Sequence, residues 1–156
     1  MEYSDYLKKI HSNYKNNEFV NDLNATMFFE TQFELKWIAT KLKQFSFVSF
    51  QDDISFDDIK IYSAKCCNYS LKMYKGLPRG IQNGIVSFNV LAGKKISKEA
   101  IDFVLSRPPK HFAAFEMPVI VDLEKQKSYY YTDTPLWGMI YYKHFREYIE
   151  KNLDIH

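Results

Sequence analysis

The sequence predicts one α+β domain over residues 1–156, a mostly antiparallel sheet of about five strands covered by helices from both ends of the chain. Apolar residues alternate in several successive segments in the middle of the chain, whereas helical spacing prevails towards its ends. Strands that follow one another without regularly intervening helices favour antiparallel pairing. A chain of 156 residues with 46% hydrophobic residues can bury a core without a disulfide or a metal ion.

Helical periodicity characterises the first part of the chain. Apolar side chains from Tyr3 to Tyr14 recur at helical spacing and predict a helix over residues 2–15. Two neighbouring apolar stripes between Thr26 and Gln44 predict a second helix, apolar on two sides and therefore well buried.

Alternation with a period of two replaces helical spacing after this second helix. It predicts a strand from Phe45 to Phe50 and, over residues 58–74, one long or bent strand or two short ones. A further apolar stretch from Gly84 to Leu91 predicts the next strand.

The remaining elements are marked by capping and turn residues. Ser97 is suited to cap a short helix, which the proline pair at 108–109 ends. The segment from Phe112 to Leu123 has the strongest strand pattern, and residues 128–132 return as its hairpin partner. Pro135 is suited to the first turn of a closing helix, capped by the preceding Asp or Thr.

The distribution of charges and the length of the apolar runs argue against several classes of partner. The 21 basic and 19 acidic residues are spread evenly, whereas nucleic-acid binding usually needs a concentrated basic face. The longest apolar run, Met117 to Val121, is too short to cross a bilayer. The first residues have no secretory pattern, and Cys66 and Cys67 suit reduced thiols, so we expect a cytoplasmic protein without a membrane contact.

The leading functional hypothesis is a non-catalytic binding domain for another protein, of the immunity or adaptor type. Aromatic residues make up 17% of the chain, and Tyr and Trp are enriched at protein interfaces. The contact would lie near Tyr129, Tyr131, Trp137 and Tyr141. The same rings could instead pack against the sheet, because aromatic residues also favour strands.

A second hypothesis is a small enzyme or binding protein for an anionic small molecule. The glycine-containing loop at residues 75–84 could present backbone N–H groups to an anion. The site would combine five side chains: Lys75, Arg79, Gln82, His111 and Glu116. The alternatives are that the loop is a plain connection between strands and that Glu116 faces solvent or pairs with a Lys or Arg.

The sequence predicts no metal ion, no cofactor and no identifiable catalytic residue. The four histidines are scattered, and only His144 and Glu147 have the one-turn spacing of two ligands on a helix. A closed zinc site needs about four ligands, and a catalytic one about three and a water molecule. At least one of the adjacent cysteines, Cys66 or Cys67, is expected to face inward as an inert buried thiol.

Overall fold

The computed structural model describes residues 1–35, 40–74, 83–112, 114–135 and 139–156, although the side chains of residues 30–35, 40–41 and 83 are not described. Within these ranges the fold is α+β, with helices packed on one main sheet. The helices are α1 (Tyr3–Asn13), α2 (Phe56–Met73), α3 (Lys98–Leu105) and α4 (Met139–Asn152). The strands are β1 (Asn17–Val20), β2 (Ala25–Leu35), β3 (Thr40–Phe50), β4 (Asp53–Ile54), β5 (Asn83–Gly93), β6 (Lys95–Ile96), β7 (Lys110–His111), β8 (Ala114–Asp122) and β9 (Lys127–Tyr129).

The main sheet is mixed, so the prediction of a mostly antiparallel sheet of about five strands is wrong. Seven strands form it in the order β1-β2-β3-β5-β8-β7, and β9 also pairs with β8. The three central strands β3, β5 and β8 are parallel, whereas the outer pairs are antiparallel. Parallel neighbours need a crossover connection, and here α2 links β3 to β5 while α3 links β5 to β8. β4 and β6 form a separate two-stranded parallel sheet.

The predicted helix between Thr26 and Gln44 is also wrong, because the described residues of this segment form β2 and the first part of β3. The two strands pair antiparallel, with Thr26 opposite Val48. Met27 packs on one face of the sheet and Phe28 on the other, and both are fully buried. A strand buried on both faces has apolar residues at consecutive positions, which resembles two stripes on a buried helix.

The predicted strand over residues 58–74 is likewise wrong, because these residues form most of α2. A capping box begins this helix: the Ser55 hydroxyl accepts from the Asp58 N–H, and the Asp58 carboxylate accepts from the Ser55 N–H at 2.8 Å. Hydrogen bonds from Gln51 and Ser55 lower the pKa of Asp58. The buried positions Ile59, Ser63 and Cys67 then recur at helical spacing.

Other sequence predictions are confirmed. The first helix, the strands over residues 45–50, 84–91 and most of 112–123, and the short helix capped by Ser97 are all present. The hairpin return is shorter than expected, ending at Tyr129. The closing helix is found from Met139 onward, and Pro135 precedes it in non-helical backbone.

The helices cover opposite faces of the sheet and so divide the core. α1 and α4 pack on one face, where Phe88 contacts the rings of Phe145 and Tyr148. α2 and α3 pack on the other face, against Phe47 and Leu91 among others. Side chains alternate along each strand, so Ser87, Asn89 and Glu116 point towards the α2 side. None of the described helices is long and apolar enough to span a bilayer.

Candidate functional site

Polar side chains interrupt the apolar interface between α2 and the sheet. Asn89 is fully buried on β5, and its Nδ2 donates to the Ser63 hydroxyl at 2.9 Å and to the Ser63 carbonyl at 3.2 Å. Two residues earlier on the same face of β5 lies Ser87, which is also fully buried. Ser87 is opposite Glu116 in the register between β5 and β8. A row of polar groups therefore crosses this part of the interior.

The carboxylate of Glu116 pairs with an imidazole at one end of this row. β7 folds back on β8 and places His111 opposite Ala114, two residues before Glu116. The His111 Nε2 lies 2.7 Å from the Glu116 Oε2. Glu116 is 3% exposed, whereas His111 is 36% exposed. The imidazole thus stands between a buried carboxylate and solvent.

The third member of the cluster is Cys67, contributed by α2. Cys67 follows Ser63 by one helical turn on the face that packs against the sheet, and it is 1% exposed. A ligand atom from each of Cys67, His111 and Glu116 lies within 4.8 Å of the other two. We refer to these three residues as the thiol–imidazole–carboxylate cluster.

The spacing of the cluster suits a single ion at its centre. If all three separations had the limiting value of 4.8 Å, each ligand atom would lie about 2.8 Å from the midpoint, whereas Zn²⁺ binds sulfur at about 2.3 Å and nitrogen or oxygen at about 2.0–2.2 Å. A contraction of about 0.5 Å for the sulfur and about 0.6–0.8 Å for the nitrogen and the oxygen would therefore complete the coordination distances. The His111–Glu116 hydrogen bond would open slightly as the ion replaced its proton.

The same spacing argues against a linear nucleophile–base–carboxylate relay. In such a relay the thiol and the carboxylate bind opposite nitrogens of the imidazole, which keeps them more than about 6 Å apart. Here the sulfur of Cys67 and a carboxylate oxygen of Glu116 lie within 4.8 Å of each other. The three ligand atoms lie close enough to one another to hold a single ion.

The neighbouring cysteine has a different environment. Cys66 is fully buried, and burial is the main factor that raises the pKa of its thiol. The nearby Tyr62 hydroxyl opposes this increase in the pKa, and the charges of Cys67 and Glu116 add to it. Cys66 is therefore held as a neutral thiol. It is not a member of the cluster, although it is adjacent in sequence.

The residues predicted for an anionic ligand are only partly described. His111 and Glu116 lie together, and Glu116 is buried against this imidazole instead of facing solvent. Lys75, Arg79 and Gln82 lie outside the described residues. β5 begins at Asn83, two residues before Ile85, which pairs with Ala114. β5 therefore begins at the end of the sheet where β7 ends and β8 begins.

The residues predicted for a protein contact do not form one described patch. Tyr131 is buried among the residues beneath α1 and α4, and Tyr141 packs against Phe115 on the same side. Tyr129 packs on the opposite side, next to the apolar residues beneath α3. Trp137 lies outside the described residues. The interaction hypothesis stays a prediction.

The expectation of no metal ion also stays untested, but its reason does not hold. That expectation depended on the absence of a second group of ligands, and the fold supplies Cys67 beside His111 and Glu116. Sequence reasoning missed Cys67 as a site residue. Recognising the S-x-x-D capping signal at Ser55 would have identified α2 and placed Cys67 on its buried face.

Comparison with models of protein families, with curated proteins and with solved structures gives no match for this chain. We therefore infer the chemistry of the cluster from its side chains.

Proposed function

We propose that this protein binds a divalent transition-metal ion of the Zn²⁺ class through Cys67, His111 and Glu116. The observation that carries the proposal is the compact triangle of a buried sulfur, a buried oxygen and a more exposed nitrogen ligand. Three protein ligands leave room for a fourth, as at zinc sites that keep an open position. Mg²⁺ and Ca²⁺ prefer sets made entirely of oxygen, so a thiol and an imidazole favour Zn²⁺, Co²⁺ or Ni²⁺.

Charge balance supports an ion at this position. A Cys67 thiolate and a Glu116 carboxylate carry two negative charges, which a divalent ion neutralises. Buried charges are expensive unless they are paired or coordinate a metal. Cys67 is 1% exposed and Glu116 is 3% exposed, so both gain by sharing a cation. His111 is the more exposed ligand and offers the ion a route from solvent.

The proposal includes a reducing compartment, in agreement with the cytoplasmic location expected from the sequence. Only a reduced Cys67 can supply a thiolate, and cytosolic thiols are kept reduced. In this proposal the ion joins α2 to the β7–β8 hairpin, elements that are distant in sequence. Metal binding and folding are therefore coupled.

Co²⁺ substitution tests the site directly. We expect the Co²⁺-loaded protein to show a thiolate-to-cobalt charge-transfer band and visible bands of tetrahedral intensity at one ion per chain. Cys67→Ser should remove the charge-transfer band. Cys66→Ser is the matched control, since it changes the adjacent buried thiol, and it should keep the band. The proposal fails if Co²⁺ gives no thiolate band, or if the band survives in Cys67→Ser.

A further inference from the structure

We propose that the metal ion keeps one coordination position open towards the protein interior, where Ser87 holds a water molecule, a hydroxide ion or another small anion on the metal. This inference rests on the metal site proposed above and extends it to the class of exogenous ligand. Its basis is two buried polar atoms that lack a partner among the described residues: Ser87 Oγ, next to Glu116 in the sheet, and Asn89 Oδ1, two residues further along β5.

Ser87 stands next to the ligand Glu116. The two residues are partners in the parallel pairing of β5 and β8, and neighbouring strands are about 4.8 Å apart. Their side chains point to the same face, since the preceding partners Ile85 and Ala114 both pack on the α2 side. Ser87 is fully buried, so bulk water does not satisfy its hydroxyl.

Asn89 continues this lining away from the cluster. Its amide nitrogen is used by Ser63, which fixes the orientation of the side chain. The amide oxygen, Oδ1, is left without a partner among the described residues. Ser63 lies one helical turn before Cys67 on α2, so Asn89 and the cluster belong to the same interface.

Buried polar groups are normally hydrogen-bonded, and exceptions call for a missing partner such as a water molecule or a ligand. A metal-bound water molecule has two hydrogens to donate, and Ser87 Oγ and Asn89 Oδ1 are two acceptors. A metal-bound hydroxide or anion can instead accept a hydrogen bond from the Ser87 hydroxyl. One water molecule or hydroxide ion on the metal can therefore satisfy both groups, whereas an anion without a hydrogen to donate would pair with Ser87 alone.

The burial of the cluster limits the size of this ligand. Ser87 and Asn89 are both fully buried, and Cys67 and Glu116 are almost so. A bulky substrate could not reach the inner position without displacing α2 from the sheet. We therefore assign the position to water, hydroxide and small anions.

Azide titration of the Co²⁺-loaded protein tests the inference. We expect azide to change the visible bands of the wild-type protein and to leave the thiolate charge-transfer band in place. Ser87→Ala should bind Co²⁺ normally but weaken azide binding about tenfold, the effect of losing one hydrogen bond to a charged group. The matched control is Ser70→Ala, since the buried Ser70 hydroxyl already donates to the Cys66 carbonyl.

The outcomes separate this inference from the proposed function. Failure of Co²⁺ to bind with a thiolate band would overturn both. A normal thiolate band with no azide response in the wild-type protein would overturn the open position and leave the metal site standing. Equal azide affinities of Ser87→Ala and the wild-type protein would remove the role of Ser87.

Discussion

The Nε2 atom of His111 lies 2.7 Å from the Oε2 atom of Glu116, and this contact links the most exposed member of the cluster to a carboxylate that is 3% exposed. The two residues lie together because β7 pairs antiparallel with the beginning of β8. Cys67 reaches the same point from α2, on a crossover that ends before β5. The cluster thus combines two residues that are close in sequence, His111 and Glu116, with Cys67, which is distant from both.

Metal binding should raise thermal stability. An ion that binds only the folded chain adds about 2.7 kcal/mol at a free concentration of 100 times its Kd. We expect Zn²⁺ to raise the Tm of the wild-type protein and of Glu147→Gln, which removes an exposed carboxylate on α4. The Tm of Glu116→Gln should rise much less, because this variant lacks one ligand. Equal shifts in Glu116→Gln and Glu147→Gln would show that the ion binds elsewhere.

Without metal, the His111–Glu116 pair should itself contribute to folding. We expect a double-mutant cycle of His111→Ala and Glu116→Gln to give a coupling energy of about 1 kcal/mol in urea unfolding at neutral pH. The value is modest because His111 is 36% exposed and water screens the pair. His111→Ala in the wild-type protein leaves the buried Glu116 carboxylate without its partner. This change should therefore lower the free energy of unfolding more than the further change Glu116→Gln does in the His111→Ala variant. Additive effects would contradict a direct interaction.

Helices whose pattern reflects one buried face were predicted, whereas burial on both faces hid β2, although β5 and β8, also buried on both faces, were identified as strands. α1 and α3 have one apolar side and were identified. β2 has Met27 and Phe28 buried on opposite faces, and this destroys the alternation that identifies a strand. Only pairing with β1 and β3 distinguishes it from a buried helix.

The polar residues on the buried face of α2 are the reason that this helix was not predicted. The buried face of α2 includes Ser63, Cys67 and Ser70, so polar residues interrupt the apolar stripe expected of a packed helix. Because α2 was interpreted as a strand, no helical crossover between β3 and β5 was predicted. The parallel pairing of these strands was therefore not predicted either. His111 and Glu116 could be grouped because they are close in sequence. Cys67 could not, since its position depends on that crossover.

The capping box at the start of α2 should give acid-dependent stability. The pKa of Asp58 is lowered in the folded protein by hydrogen bonds from Gln51 and Ser55. Its contribution is therefore present above the ordinary pKa of 3.8 and is lost as the pH falls through the lower folded value. We expect Asp58→Asn to be less stable than the wild-type protein in urea at pH 7, with a gap that narrows in acid.

Asp57→Asn is the control for this effect, because Asp57 lies in the same first turn but outside the capping box. Ser55→Ala should cost about 1 kcal/mol, as for loss of other N-caps. A gap between Asp58→Asn and the wild-type protein that stays constant from pH 7 to strong acid would contradict the linkage.

The buried hydroxyl of Tyr6 should make the stability of the fold decrease at alkaline pH. Tyr6 is fully buried, and its hydroxyl donates to the Leu153 carbonyl at 2.6 Å. Burial raises the pKa of Tyr6 well above 10.0, so the folded state retains a proton that the unfolded state has released. Stability should fall as the pH rises above the unfolded pKa of about 10.

Tyr6→Phe isolates this contribution. At neutral pH we expect it to lose about 1 kcal/mol, because one buried hydrogen bond is removed and a carbonyl loses its donor. Above pH 10 the variant should lose stability less steeply than the wild-type protein, since one group that couples proton release to unfolding is absent. Urea midpoints measured from pH 7 to pH 11 test both parts. Parallel curves for the two proteins would show that Tyr6 ionises equally in the folded and unfolded states, which its contact with Leu153 does not allow.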